Sequence, residues 1–253
     1  MNSPGDNNKC YLYYILILLT FFIIVSPTSL AQPEVSDSTS SSEQSYFYEP
    51  YPQKPGLYIL QLGASFTLLP EPVVENEYPA PAVDLQYKHG IYNHFSLVGS
   101  LSTNYFTNLL HAGIQWNSNY KDFSFGIANH LGGFFGFISA EGQFDNNQAY
   151  AFFYLPVVRF GYRLNKYSIS MSWAVSYIIK SQNKVSGLKA AGPDNTVNDY
   201  FCTLAVEQPF LKNAHLSIGF SLNYARSPYQ SWLLYNTIDQ YLFLPEFFFS
   251  FQL

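Results

Sequence analysis

Four residues of this chain have types that could do acid–base chemistry together. They are Asp84, Ser102, His111 and His130. A histidine that a carboxylate orients can act as a general base, and it can take a proton from water or from a serine hydroxyl. Such a set would suit the hydrolysis of an ester. Whether the four residues meet depends on the elements that carry them.

Those elements have the pattern of β-strands with one apolar and one polar face. In the clearest example, from Tyr167 to Ile179, large apolar residues alternate with serines and one alanine. A period of two indicates β-structure, because successive side chains of a strand point to opposite faces. The same alternation recurs from residue 56 to the end of the chain.

Ten alternating segments follow one another, each near the ~10 residues that a tilted membrane-spanning strand needs. An even number is typical of single-chain transmembrane barrels, and short turns alternate with long loops, which indicates periplasmic turns and external loops. The pattern predicts an all-β fold, an antiparallel up-and-down transmembrane β-barrel of about ten strands, with eight or twelve as alternatives. The predicted strands are Tyr58–Leu68, Pro81–Ile91, Phe95–Tyr105, Leu109–Asn117, Asp122–Leu131, Ala151–Leu164, Tyr167–Ile179, Tyr200–Gln208, Ala214–Tyr224 and Gln240–Leu253.

The composition excludes several other classes of protein. The chain is 48% hydrophobic and 19% aromatic but only 11% charged, whereas an ordinary soluble domain is roughly 25% charged. Polar residues interrupt the apolar stretches after the N-terminus, which argues against membrane-spanning helices. A net charge of −5 with only 12 Lys and Arg offers no basic surface for phosphates, so we expect no nucleic-acid partner.

The N-terminal residues have the pattern of a secretory signal peptide. Lys9 precedes an apolar run that ends near Val25, and small residues follow up to Ala31, as signal peptidase requires. We predict a signal peptide over residues 1–31, with an uncleaved membrane anchor as the alternative. Residues 32–55 are rich in serine and proline and predict a flexible periplasmic lead-in. The barrel then occupies residues 56–253.

Cysteine usage limits the chemistry of the mature chain. Cleavage would remove Cys10 and leave Cys202 as the single cysteine. One cysteine cannot form an intramolecular disulfide or a cysteine-based metal site. We expect no metal and no cofactor.

The chain ends in alternating aromatic residues. Phe247, Phe249, Phe251 and Leu253 share one face of the last predicted strand. This end resembles that of small outer-membrane β-barrel proteins of Gram-negative bacteria, although Leu253 stands where the family most typically has Phe or Trp. The resemblance implies an outer-membrane location among lipids that include lipopolysaccharide, and recognition of the last strand by the barrel-assembly machinery. With an even number of strands, both termini are then periplasmic.

The polar faces of the strands should line the lumen. Three carboxylates and three strong cations fall on these faces, which predicts an ion network that fills a narrow barrel. The network is Asp84, Lys88, Arg159, Arg163, Glu207 and Glu246, and parity also places His111, His130 and His215 inside.

Three functions are compatible with this pattern. The leading one is a structural or passive role for a barrel with a filled polar lumen, with recognition through external loops. The second is an esterase acting on lipid of the outer leaflet, as lipid A deacylases do, with the catalytic candidates Asp84, Ser102, His111 and His130 at the external rim. The third is a narrow porin-like path for ions or small solutes.

Overall fold

The fold is a closed antiparallel barrel, described for residues 46–73, 78–140, 144–190, 192–211, 214–226 and 240–253 of a computed structural model. Ten strands form the wall, and the short strand β8 pairs with β7 alone. The ten-stranded barrel that the alternation predicts is therefore confirmed. The predicted signal peptide lies outside the described residues. The strands are β1 (Tyr58–Leu69), β2 (Tyr78–Tyr92), β3 (Phe95–Thr103), β4 (Thr107–Tyr120), β5 (Phe123–Ala140), β6 (Phe144–Leu164), β7 (Tyr167–Val185), β8 (Leu188–Ala190), β9 (Thr196–Leu211), β10 (Ala214–Ala225) and β11 (Leu242–Gln252).

The first and last strands close the wall. β1 pairs with β11 from Gln61 opposite Gln252 to Thr67 opposite Glu246. β6 pairs with β7, and β7 pairs with β9, so each wall strand has a neighbour on both sides. Closure satisfies the backbone groups that an open sheet edge would leave unpaired, which a lipid environment requires.

The outer face of the barrel is apolar. Large side chains are exposed on it, such as Ile114 at 54%, Phe152 at 62% and Leu131 at 66%. A protein surrounded by water would be expected to cover so many apolar side chains. This face has the character of a surface in contact with lipid acyl chains. In the part of the chain that the structure describes, no helix is long and apolar enough to cross a membrane.

The inner face is polar and buried. On β1, the inward residues Gln61, Ser65 and Thr67 are almost completely buried. On β7, Ser168, Ser170 and Ser176 are buried as well, while the large apolar residues between them face outward. The alternation in the sequence therefore separates lipid-facing from lumen-facing positions.

The two ends of the barrel differ. At the turn end, where β1 begins, consecutive strands are separated by two residues, and Lys121 and Asn165 take positive φ values of 54° and 51° in these connections. At the opposite loop end, β5, β6 and β7 are longer than predicted, with 18, 21 and 19 residues. Residues 132–140, 144–150 and 180–185, which lie outside the predicted strands, are therefore strand as well. In the extension of β7, polar residues lie on both faces from Lys180 to Lys184, so no hydrophobic alternation marks it.

The described part of the predicted lead-in lies inside the wall. Tyr46, Phe47 and Glu49 are 1%, 4% and 0% exposed. We call residues 46–54 the inner strap. The sequence predicts a flexible segment here because its own composition offers little to bury, whereas its burial depends on residues far away in the chain. The domain boundary at residue 56 stays a prediction.

Candidate functional site

The inner strap is held by a buried carboxylate. Glu207 on β9 is 0% exposed. Its Oε1 accepts a hydrogen bond from the Phe47 N–H at 2.8 Å, and its Oε2 accepts from the N–H groups of Tyr48 at 2.8 Å and Glu49 at 3.0 Å. Successive N–H groups that converge on one carboxylate form an anion-binding nest.

A buried ammonium group holds the same segment from another strand. Lys88 on β2 is 1% exposed. Its Nζ donates to the carbonyl oxygens of Tyr46 at 3.2 Å, Phe47 at 3.3 Å and Glu49 at 2.8 Å. Because an ammonium group has three donors, the strap backbone satisfies Lys88 completely.

The side chains of the strap are also engaged. Arg163 Nη2 on β6 lies 2.7 Å from Glu49 Oε2, and its guanidinium lies 4.4 Å from the ring centroid of Tyr51. The Tyr46 hydroxyl donates to the Lys166 carbonyl at 2.7 Å. Burial raises the pKa of Tyr46 to about 12, so this donor keeps its proton at physiological pH. An ion pair, a cation–π contact and hydrogen bonds to the backbone thus all hold one short segment.

Glycines in the wall provide room for the strap. A Cβ added at Gly126 would lie 2.7 Å from Pro50 Cβ, and one at Gly161 would lie 2.9 Å from Pro50 Cδ. A Cβ at Gly90 would lie 2.4 Å from the Lys54 carbonyl oxygen. Three strands therefore carry glycine where the strap approaches most closely.

The catalytic candidates of the sequence line a cavity on the loop side of the strap. The cavity has a volume of about 210 Å³, and Tyr48 of the strap lies on its wall. The lining includes Asp84, Ser102, His111 and His130. The structure therefore brings all four residues to one space. His130 is not at the rim as expected, because β5 continues past Leu131 to Ala140.

The contacts within this cluster are not those of a catalytic relay. His111 Nδ1 and His130 Nδ1 lie 3.1 Å apart. Asp84 lies within hydrogen-bonding reach of the hydroxyls of Ser65 and Ser102. A relay needs a carboxylate on one imidazole nitrogen and a nucleophile on the other, and among the described contacts neither histidine bonds Asp84 or Ser102.

The six predicted network residues all face the lumen, but their partners differ from those expected. Lys88 and Glu207 bind strap backbone, and Arg163 pairs with Glu49, which the sequence reasoning missed. Glu246 accepts from Thr67 Oγ1 at 2.8 Å and from Asn223 Nδ2 at 3.4 Å. The missed signal is the aromatic run from Tyr46 to Tyr48, followed by Glu49, within a segment otherwise rich in serine and proline.

Some buried polar atoms at the cavity have no hydrogen-bond partner among the described residues, and Gln86 Oε1 is one of them. Arg159 Nε and Nη1 are buried and have no hydrogen-bond partner among the described residues, and the same holds for His130 Nε2. His215, also predicted inside, pairs with Gln252 Oε1 at 3.1 Å. Within the described ranges, no group of three or more His, Cys, Asp and Glu could hold a metal ion.

Comparisons with known proteins give neither a family nor a role for this chain. No family model and no curated protein matches the chain. Among solved structures, the chain is similar to the translocator domain of the autotransporter NalP from Neisseria meningitidis, at 8% identity and a TM-score of 0.36, covering 78% of this chain and 88% of that one. It is also similar to the outer membrane protease OmpT from Escherichia coli, at 8% identity and a TM-score of 0.37, covering 77% and 93%.

Neisserial surface protein A matches at 8% identity and a TM-score of 0.24, with 78% of this chain and 96% of that chain covered. At these identities and TM-scores, none of the three proteins lends its activity to this chain. The fold assignment rests on the strand pairing and the apolar outer face.

Proposed function

We propose that this chain is an integral outer-membrane barrel whose lumen is closed by its own inner strap, and whose role is structural or is exercised by recognition at the loop end. The apolar outer face supports insertion in a bilayer. The inner strap carries the proposal of a closed lumen, because Lys88, Arg163 and Glu207 bind it from three strands. A lumen obstructed in this way suits a passive barrel better than an open channel.

The loop end offers a surface for lipopolysaccharide. Lys184 on β7 lies directly opposite Lys189 on β8, and Lys180 precedes them on β7. Like charges at paired positions of a hairpin repel each other. A lipid phosphate beside them would relieve this repulsion, which supports lipopolysaccharide as a partner and the loop end as external. The alternating aromatic residues of β11 remain our proposed signal for the barrel-assembly machinery.

Single-channel recording tests the closed lumen. The refolded mature chain is expected to be electrically silent in planar bilayers, whereas a chain without residues 46–54 should show discrete conductance steps. Steps from the unaltered chain at low voltage would contradict the proposal. If the deletion does not fold, Glu207→Gln serves instead, because it removes a partner of three strap N–H groups without shortening the chain.

A narrow pore is the second candidate function. In its favour, the cavity lies against Tyr48, so displacement of the strap would extend the cavity toward the turn end. This function predicts reversible opening of the unaltered chain when voltage is applied. A chain that stays silent at every voltage while its strap deletion conducts would favour the passive barrel.

Binding to lipid vesicles tests the partner. The double variant Lys184→Gln and Lys189→Gln should bind lipopolysaccharide-containing vesicles through its loop end more weakly than the unaltered barrel. The double variant Lys121→Gln and Lys166→Gln is the matched control, because both residues lie in two-residue turns at the opposite end and the same two charges are removed. Equal loss in both variants would show that total charge matters and that the β7–β8 hairpin does not.

A further inference from the structure

We infer that the lumen cavity is a binding site for a small amphipathic monocarboxylate, with its carboxylate on Arg159 and its apolar body toward the loop end. This inference goes beyond the proposed function. It requires the geometry of the cavity and holds whether or not the barrel conducts.

Arg159 is the anchor of the site. Its Nε and Nη1 are buried without hydrogen-bond partners in the described part of the chain, and its side chain lines the cavity. Lys88 and Arg163 differ from it, since one is saturated by strap carbonyls and the other pairs with Glu49. Buried N–H groups of a charged side chain are costly when they have no hydrogen-bond partner. Nε and Nη1 lie on different edges of the guanidinium, so a ligand carboxylate would accept a charge-assisted hydrogen bond from one of them.

Two neighbouring groups can complete the anion site. The Tyr48 hydroxyl accepts a hydrogen bond from Gln86 Nε2 at 2.8 Å, which leaves its own proton free to be donated. When both histidines are neutral, the hydrogen bond between His111 Nδ1 and His130 Nδ1 contains one proton, which one of the two Nδ1 atoms carries. When His111 carries it, His130 has its proton on the unpartnered Nε2 and becomes a donor. A bound anion would select this tautomer.

Apolar side chains extend the site from Arg159 toward the loop end. Val157, Leu155 and Phe153 follow Arg159 on the inward face of β6, and all line the cavity. At about 3.3 Å per residue, the inward face from Arg159 to Phe153 is roughly 20 Å long. Phe134 and Phe201 contribute apolar surface from other strands. A charged end bound at Arg159 would therefore direct an apolar body along this wall.

The remaining carboxylates of the cavity select against other anions. Asp84, Asp199 and Glu246 also line the wall. They repel any anion, so binding requires direct contact with Arg159, which is the one Lys or Arg on the described lining. A dicarboxylate or a doubly charged phosphate is disfavoured because its second charge meets no further cation there. A volume of about 210 Å³ is many times the ~10–15 Å³ that one water molecule needs. One carboxylate with a short aliphatic or aromatic body fits these limits.

Calorimetric titration of the refolded mature barrel in lipid nanodiscs tests the inference, with octanoate as the probe and empty nanodiscs as the reference. Octanoate should bind, whereas 1-octanol, which has the same tail without the charge, and suberate, which adds a second carboxylate, should bind about tenfold more weakly or worse. Equal binding of octanol and octanoate would overturn the assignment.

A matched pair of variants locates the site. Ser172 lies directly opposite Arg159 in the β6–β7 register. Ser172→Asp places a carboxylate beside the guanidinium and should abolish octanoate binding, whereas the isosteric Ser172→Asn should keep it. Arg159→Met should also abolish binding. If Arg159→Met does not fold, Ser172→Asp still tests the site. Octanoate binding that Ser172→Asp leaves unchanged would overturn the proposal.

Discussion

Glu207 and Lys88 carry opposite charges, yet each is satisfied by peptide groups of the same strap residues. The carboxylate takes N–H groups and the ammonium takes carbonyl oxygens of one segment. In the sequence they look like two members of a balanced set of charges. Only the fold shows that both charged groups form hydrogen bonds to the backbone of the strap. Partner assignment inside a lumen therefore cannot be obtained from charge balance.

Loss of the Glu207 charge should loosen the strap. Glu207→Gln replaces one acceptor oxygen by a donor facing N–H groups, with an expected cost of about 1.5–3 kcal/mol. Maleimide labelling of Gln53→Cys in a Cys202→Ser background reports the change, since Gln53 is 5% exposed. Labelling should be faster with Glu207→Gln and unchanged with Glu71→Gln, which lies exposed at the loop end. Equal rates in all three proteins would contradict this role of Glu207.

Neighbouring positions on β7 should respond differently to a new charge. Val175 faces outward, and Ser176 lines the cavity near Asp199, its partner on β9. Val175→Arg should destabilise the barrel by about 2–4 kcal/mol, because it places a charge in the lipid, while Ser176→Arg gains a carboxylate neighbour and should cost less. Urea unfolding in vesicles measures the difference, and equal costs would contradict the assigned faces.

At the scale of the elements, strands were predictable wherever lipid lies on one side and the lumen on the other. Tyr167–Ile179 alternates for this reason, and it lies wholly within β7. Beyond Ile179 the strand continues to Val185 with polar residues on both faces, so no hydrophobic period marks it. The strap escaped prediction for a related reason. Its partners Lys88 and Glu207 lie 39 and 158 residues from Glu49.

The cavity was predictable in content but not in geometry. Parity alone places Asp84, His111 and His130 on lumen-facing positions. It does not specify that the two histidines contact each other or that Asp84 lies beside serine hydroxyls. Those contacts depend on the shear of the barrel, because the shear determines which inward residues lie at the same height along the barrel axis.

A methyl group in the wall should displace the strap. A Cβ at Gly161 would lie 2.4 Å from Ser124 Oγ and 3.0 Å from Glu49 Cγ, so Gly161→Ala should increase labelling of Gln53→Cys in the Cys202→Ser background. Gly99→Ala is the control, because its Cβ would come no closer than 3.4 Å to another atom. A strap equally protected in both alanine variants would show that the wall yields and the strap does not move.

The molecule as a whole is a wall without edges, because β1 and β11 complete the ring. Closed pairing then stabilises the molecule together with a buried apolar cluster at the loop end, which includes Leu69, Val73 and Leu244. Polar side chains, the strap, the cavity and inward apolar side chains such as Ile59 and Val98 occupy the described lumen. A barrel of this kind remains compact until the whole ring opens.

Closure predicts heat-modifiable migration. The folded mature chain should migrate differently on a denaturing gel before and after boiling, because detergent alone does not open a ring of paired strands. A chain that lacks residues 242–253 cannot form the β1–β11 seam and should show no shift. Identical migration of the complete chain with and without boiling would contradict a closed wall.

The inner strap also has a mechanical consequence. Near one of its ends, the Gly56 N–H donates to the carbonyl oxygen of Gly90 on β2, and the Gly90 N–H donates to the Leu57 carbonyl oxygen. At the other end, the Tyr46 hydroxyl donates to the Lys166 carbonyl oxygen beside β7. β2 and β7 are five strands apart in a ring of ten, which places them on opposite sides. The strap is therefore a tie across a diameter, and it resists flattening of the cross-section. Because Tyr48 of this tie lies on the cavity wall, we expect the tie to maintain the width of the cavity.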